Sequence, residues 1–271
     1  MSAIETEARP AAPEAEQQPV LDLKNATNFA RVTERFSQVK YMNESRARIM
    51  RDLIHRYGAR DILEIGFFRG KSSAYIGAIL EDQGAGKLTT IDRLTADRLP
   101  EPNIHNLIRE LGLSHRVEPI FAHRSFTWEL SKLMRMDPTP RFDLCYFDGG
   151  HTWDDTGFGF TLVNYLLKPG GVIVFDDINW TISGSKSYKR DSELMSRFSE
   201  DERACQSVRL VWDTLVPLMG YTRIEEIDSA GWAVAQKPAG AAEMSLPLTR
   251  SLPTRSLREP LGLISDFFRR R

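Results

Sequence analysis

Four polar residues in two short runs have the types and spacing for joint chemistry. Phe147-Asp-Gly-Gly-His151 and Phe175-Asp-Asp177 each close an apolar, strand-like stretch. If those stretches are adjacent parallel strands, about 4.8 Å apart, then Asp148, Asp176 and Asp177 crowd one sheet edge. Carboxylates so placed must be protonated, paired with a base or neutralised by a hard cation. A divalent cation, Mg²⁺ foremost, is therefore expected on Asp148, Asp176 and Asp177. His151 lies three residues beyond Asp148. An imidazole with an ordinary pKa of about 6.5 suits proton removal near neutrality, so His151 and Asp148 are the expected catalytic pair. The alternative is structural: Asp148 opens the Gly149-Gly150 turn, Asp177 caps the next segment, and His151 begins a helix at the surface.

A second constellation lies upstream in Asp61-Ile-Leu-Glu-Ile-Gly-Phe-Phe-Arg-Gly-Lys-Ser-Ser73. Ile62, Leu63 and Ile65 form a buried strand, Gly66 and Gly70 bracket a turn, and a helix opens at Lys71. Such a turn brings backbone N–H groups and a helix N-terminus up to a ligand at the carboxyl edge of a sheet. Phe68 occupies the position where a dinucleotide fingerprint has its middle glycine, which disfavours close approach of a diphosphate. A phosphate-free nucleoside with a carboxylate near the helix start fits better, and S-adenosylmethionine is such a ligand. Asp92 ends the next strand, where an acid can accept both ribose hydroxyls; capping the segment after it is its other use. Glu64, inside an apolar strand, needs partners and is expected to accept from loop N–H groups and to touch the methionine end. Ser72 and Ser73 either hold the cofactor carboxylate or cap the helix.

These residues require alternating strands and helices to position them. Asn43 can cap a helix over 44–57 carrying Ile49, Met50, Leu53 and Ile54 on one face, after a weaker helical pattern from Leu21 to Val39. Helices over 71–82, 126–134 and one bearing Ile104, Leu107, Ile108 and Leu111 alternate with strands at 87–92, 117–122 and 142–148. Thr152 and Asp155 match a capping box for a helix to Leu167, so Asp154 and Asp155 are read as first-turn acids. Lys168-Pro-Gly-Gly171 turns the chain into a fifth strand, 172–176. Five alternations indicate a parallel α/β sheet. Residues 179–200 read as a flexible polar stretch, residues 201–218 as one helix, and 221–227 with 231–236 as a hairpin closing the sheet with antiparallel strands. That hairpin and Phe68 count against a dehydrogenase fold.

Of the 271 residues, 36 are basic and 37 acidic, so overall charge gives no case for nucleic acid. Two cysteines, Cys145 and Cys205, fit a reducing compartment rather than a disulfide scaffold. No apolar run approaches membrane-spanning length and no leader pattern is present. The expectation is a cytoplasmic protein with a small-molecule acceptor and neither nucleic acid nor membrane as partner, with homo-oligomerisation left open. Residues 1–20 read as a disordered tail, 21–237 as the domain, and 238–271 as a Pro/Ser/Arg-rich solvated tail. Within that tail, Leu257, Leu261, Ile264, Phe267 and Phe268 could make one short amphipathic helix.

Taken together, Tyr41–Lys237 resembles class I S-adenosylmethionine-dependent methyltransferases. Within them it is similar to metal-dependent O-methyltransferases of the catechol type and to the macrolide-sugar O-methyltransferases. The resemblance rests on Tyr41-Met-Asn43, Glu64-x-Gly66-x-x-x-Gly70-x-Ser72, Thr90-Ile-Asp92, Phe147-Asp-Gly-Gly-His151, Lys168-Pro-Gly-Gly171, Phe175-Asp-Asp177 and the closing hairpin. It implies a Rossmann-like α/β fold with a mostly parallel seven-stranded sheet, an antiparallel last strand and helices on both faces. The cofactor would lie across the carboxyl ends of the first strands, over Gly66, Phe68 and Gly70, with Met42 near the methyl group and Ser125 on the adenine side. Where the catechol enzymes carry a lysine base, the sugar enzymes carry a histidine, which implies the base role for His151. The catechol group commonly has an amide where Asp177 stands. The segment after the fifth strand is longer than in the catechol enzymes, and Trp180 with 181–200 is expected to close over the acceptor.

Overall fold

The computed structural model describes residues 27–242; the expected tail over 1–20 and the helix expected near 257–268 lie outside that range. Thr27 caps α1 (Asn28–Arg35), so the described part of the weak early pattern is a short helix. Asn43 caps α2 (Glu44–Arg56), its side chain accepting the Arg46 N–H at 2.9 Å. There follow β1 (Asp61–Ile65), α3 (Lys71–Asp82), β2 (Lys87–Arg93), the single turn α4 (Leu94–Asp97), α5 (Ile104–Leu111) and β3 (Val117–Ala122). Next come α6 (Phe126–Met134), β4 (Phe142–Phe147), α7 (Trp153–Leu166) and β5 (Leu167–Phe175). Thr152 caps α7 through the Asp155 N–H.

The seven strands form one sheet in the order β3-β2-β1-β4-β5-β7-β6, where β6 (Thr222–Ile227) and β7 (Trp232–Gln236) are the expected hairpin. β1 to β5 pair in parallel, and β7 runs antiparallel to both β5 and β6. Successive strand residues point to opposite faces, and both faces are covered. Ile62, Leu144, Tyr146, Val172 and Val174 pack with α1, α2, α3 and α5. Leu63, Ile65, Cys145, Phe147, Ile173 and Phe175 pack with α6, α7 and α11 (Ser207–Leu218) on the other side. Central strands covered on both faces read as nearly continuous apolar runs, which is why they were legible.

Three expectations about elements need correction. Lys168-Pro-Gly-Gly171 lies inside β5 and does not precede it: Leu167 already pairs with Phe142, and an irregularity between Phe142 and Leu144 takes up the extra residues. The stretch 201–218 is two helices, α10 (Glu200–Ala204) and α11, because Ser199 and Glu202 close a capping box of their own and Cys205 has extended backbone at ψ 137°. The 179–200 stretch holds a 3₁₀ turn (Ile182–Gly184), α8 (Lys186–Lys189) and α9 (Ser192–Ser196), with Ile182 fully buried. Among the described residues, no helix is long and apolar enough to cross a membrane, and Cys145 and Cys205 are free thiols.

Candidate functional site

The chain winds outward from β1 in both directions, so β1 and β4 flank the point where strand order reverses and a crevice opens at their carboxyl ends. The first residues beyond three strands continue the ladder there. The Gly66 N–H donates to Ile91 O at 2.8 Å, Asp148 N–H to Ile65 O at 2.8 Å, and Asp176 N–H to Phe147 O at 3.0 Å. Gly66 must be glycine: its φ is +87° and an added Cβ would stand 2.0 Å from the Asp148 carbonyl oxygen. A cavity of about 840 Å³ occupies this edge, large enough for a cofactor and a small acceptor. Among the described residues, the non-glycine ones with positive φ are Tyr41 (67°), Met42 (28°), Phe68 (47°) and Asp177 (54°), and all four line it. Backbone strain of this kind collects where surrounding structure holds a site in place.

On one side, Asp92 organises the glycine turn. One carboxylate oxygen accepts the Phe67 and Phe68 N–H groups at 2.9 and 2.6 Å, and the other accepts from Arg93 N–H at 2.6 Å. The first oxygen thus has both lone pairs engaged, and the second keeps one for a ligand hydroxyl. Phe68 meets Tyr41 edge-on across the opening, ring centroids 5.4 Å apart. Ser125, N-cap of α6, lines the same wall with Met42 and Ser72.

Across the cavity, Asp148, His151 and Asp177 present ligand atoms within 4.8 Å of one another. His151 Nε2 is 3.6 Å from an oxygen of Asp148 and 3.6 Å from one of Asp177, buried and without a hydrogen-bond partner. Burial lowers the imidazole pKa, against the pull of Asp177, Asp176 and Asp155. Burial, then the charges of Asp177 and Glu64, raise Asp148 well above the usual carboxylate range. Asp176, only 3% exposed, is pushed up to about 7 by burial and by Asp148 and Asp177. Its carboxylate accepts from the Tyr146 hydroxyl and from Asp177 N–H at 2.6 Å, and Arg46 stands 3.9 Å away. The Trp180 ring lies 5.4 Å from the His151 ring and 5.6 Å from Tyr188, which stacks in turn near Phe198.

Residues 63–178 match a family described as a methyltransferase domain. The fold of the chain is similar to that of the O-methyltransferase TomG from Streptomyces achromogenes, involved in tomaymycin synthesis and solved with SAM (21% identity, TM-score 0.55, 80% of this chain and 92% of that one). It is also similar to the O-methyltransferase from Bacillus cereus solved with SAH (19% identity, TM-score 0.53, 80% and 93%). MycE from the mycinamycin biosynthetic pathway, solved with Mg and SAH, shares the fold at 14% identity and TM-score 0.50, over 79% of this chain and 53% of that one. No curated protein matches the chain by sequence.

Most of the expected site residues line one cavity: Met42, Gly66, Phe68, Ser72, Asp92, Ser125, Asp148, His151, Asp176, Asp177 and Trp180. Three do not. Glu64 is fully buried beneath the wall and accepts from the Ser73 and Thr90 hydroxyls, the latter at 2.6 Å, rather than from loop N–H groups. Ser73 is thereby committed to Glu64. Gly70 caps α3 in the left-handed region, and a Cβ there would meet Ile104, so its role is packing. Asp176 lines the cavity and accepts from Tyr146 and from Asp177 N–H, while the ligand atoms that lie within 4.8 Å of one another are those of Asp148, His151 and Asp177. Reading along the sequence missed Arg46, Lys71, Tyr146 and Tyr188, which reach the cavity from four different elements. It also set aside Asp155, whose N–H serves the α7 cap while the residue lines the cavity; the capping pattern masked that second position.

Proposed function

We propose that this domain transfers a methyl group from S-adenosylmethionine to a hydroxyl of a small acceptor (a phenol, diol or sugar), assisted by a divalent cation, with His151 as general base. The convergence of Asp148, His151 and Asp177 at the mouth of the Gly66 turn carries the reading. The residues fit a cation: carboxylates are held close enough to raise one another's pKa, and a buried imidazole nitrogen faces them without a partner. Asp148 and Asp177 are the residues that would hold it, with Asp176 keeping the Asp177 turn in place. Oxygen donors of this kind suit Mg²⁺. When bound, such an ion supplies Lewis-acid polarisation, which lowers the pKa of a hydroxyl, about 10 for a phenol. That MycE was solved with Mg and SAH, and TomG with SAM, supports both ligands.

The chain's own groups then have defined tasks. Burial keeps the His151 imidazole neutral, so Nε2 is free to take the acceptor proton. Trp180 orients the imidazole by stacking on it. Met42 and Phe68 wall the methyl donor from water. The test is a methyl-transfer assay over phenols, diols and sugars, with and without chelator. Chelator should abolish turnover, Mg²⁺ should restore it, and cofactor affinity should survive both. His151→Ala should lower the rate by roughly 10²–10⁴ and leave cofactor affinity unchanged. Turnover indifferent to chelator would remove the cation from the mechanism; wild-type rates in His151→Ala would remove the base.

A further inference from the structure

Lys71 is a buried cation without a counter-ion. It opens the twelve-residue helix α3 and is 6% exposed. Its ammonium donates to Val39 O at 2.7 Å and to Ser37 O at 3.4 Å, both neutral acceptors. Among the described residues, no carboxylate comes within 4.0 Å of it. Burial alone shifts its pKa, downward. A buried charge left in this state is costly unless another group neutralises it. Lys71 lines the cavity beside Ser72, at a helix N-terminus that itself favours negative charge. An ammonium has three donors, and two carbonyls account for two of them. Two other cations along this cavity are held by groups of the chain itself. Arg46 faces Asp176 at 3.9 Å, and Arg69 donates to the Pro100 and Pro102 carbonyls at 2.7 and 2.8 Å.

We propose that Lys71 binds the carboxylate of the cofactor's amino-acid moiety, its remaining donor and its charge completing a pair that the folded chain leaves open. This rests on the cofactor being S-adenosylmethionine. It also gives the arch 37–42 a reason to close: the same ammonium that takes the carboxylate holds Val39 O, and so sets Tyr41 and Met42 over the cavity. Lys71 then ties cofactor capture to the position of Met42.

Calorimetry on the full chain tests this with two ligands: S-adenosylhomocysteine, and 5′-methylthioadenosine, which has the nucleoside and thioether but no amino acid. Lys71→Met and Lys71→Gln should each weaken S-adenosylhomocysteine binding by about 30-fold or more, the scale for removing one partner of a buried charge pair. Binding of 5′-methylthioadenosine should stay within about two-fold of wild type. Gln keeps a donor for Val39 O, so it decides the matter if Lys71→Met shows no cooperative unfolding transition. Unchanged S-adenosylhomocysteine binding, or equal weakening of both ligands, would overturn the pairing and leave methyl transfer intact. Wild-type protein that binds neither ligand would instead overturn the methyl-transfer reading, and this inference with it.

Discussion

Between Ile65 and Asp92 the cavity wall is made of backbone: N–H groups of Phe67 and Phe68 point at the Asp92 carboxylate, and Gly66 joins β1 to β2 through Ile91. Between Asp148 and Trp180 the wall is made of side chains: two carboxylates and an imidazole that make no hydrogen bond to one another, backed by Asp176, Tyr146 and an aromatic stack. The first wall is preorganised by the turn itself and by the Asp92 carboxylate that fixes it. The second depends on how α2, β4, β5 and the segment beyond Asp177 come together, and each side chain in it is separately replaceable. On the proposed reading, binding the cofactor and choosing the acceptor fall to surfaces of different kinds.

The largest effect should come at the one residue that both walls share. Gly66 sits in the first wall, yet its Cα presses against the Asp148 carbonyl of the second. Gly66→Ala would strain a left-handed φ and place a Cβ 2.0 Å from that oxygen. Backbone would have to move, since the contact is not with a flexible side-chain tip. We expect a loss of about 4 kcal/mol or more of stability, with cofactor binding and turnover both lost, measured by denaturant unfolding and calorimetry. A variant that lost turnover but bound cofactor normally would show that the walls are independent.

The same contrast explains what could be read from the sequence. The turn, its flanking strand and Asp92 lie within a short stretch whose apolar run, glycines and terminal acid each have a local meaning. The parallel sheet followed from the same alternation, and the closing hairpin from the point where the alternation stops. The partners of Glu64 were misassigned because Ser73 and Thr90 reach it across α3 and β2, which no local pattern reveals. Arg46 and Tyr146 were missed for the same reason: one looks like an ordinary helix cation, the other like a core aromatic, and only packing sets them beside Asp176. Asp176 and Asp177 are adjacent in sequence and look equivalent. The positive φ of Asp177 sends them to different partners.

Glu64 offers a sharper measure of how the first wall is supported. Burial pushes its pKa from the usual 4.5 up to about 7, against the hydroxyls of Ser72, Ser73 and Thr90. Because the folded value lies above the unfolded one, the folded chain binds more protons between those pH values. Stability therefore falls as pH rises from about 4.5 to about 7 and is level beyond. Asp176 acts in the same direction, so the wild-type curve alone does not separate them. Glu64→Gln keeps an acceptor for Ser73 and Thr90 and removes the titration. Its stability relative to wild type should grow by about 3 kcal/mol over that window, followed by urea unfolding at stepped pH. A difference that does not vary with pH would mean that Glu64 is not protonated on folding.

The smallest expected effect concerns the outermost part of the second wall. Trp180 lies just beyond Asp177, and its ring lies tilted against His151 and meets Tyr188 edge-on. Its neighbours Ser185, Ser187 and Tyr188 line the cavity from the segment that follows β5, while the glycine turn lies across the opening. If this segment covers the acceptor, then removing the indole should loosen acceptor binding and leave the backbone-made cofactor wall untouched. An aromatic contact of this kind is worth about 0.5–1.5 kcal/mol beyond area burial. Trp180→Ala should therefore raise the acceptor KM by roughly 2- to 10-fold, with the cofactor KM within about two-fold. Equal rises in both would show that Trp180 supports the cavity as a whole. A fall in kcat with both KM values unchanged would assign the indole to holding His151 rather than to covering the acceptor.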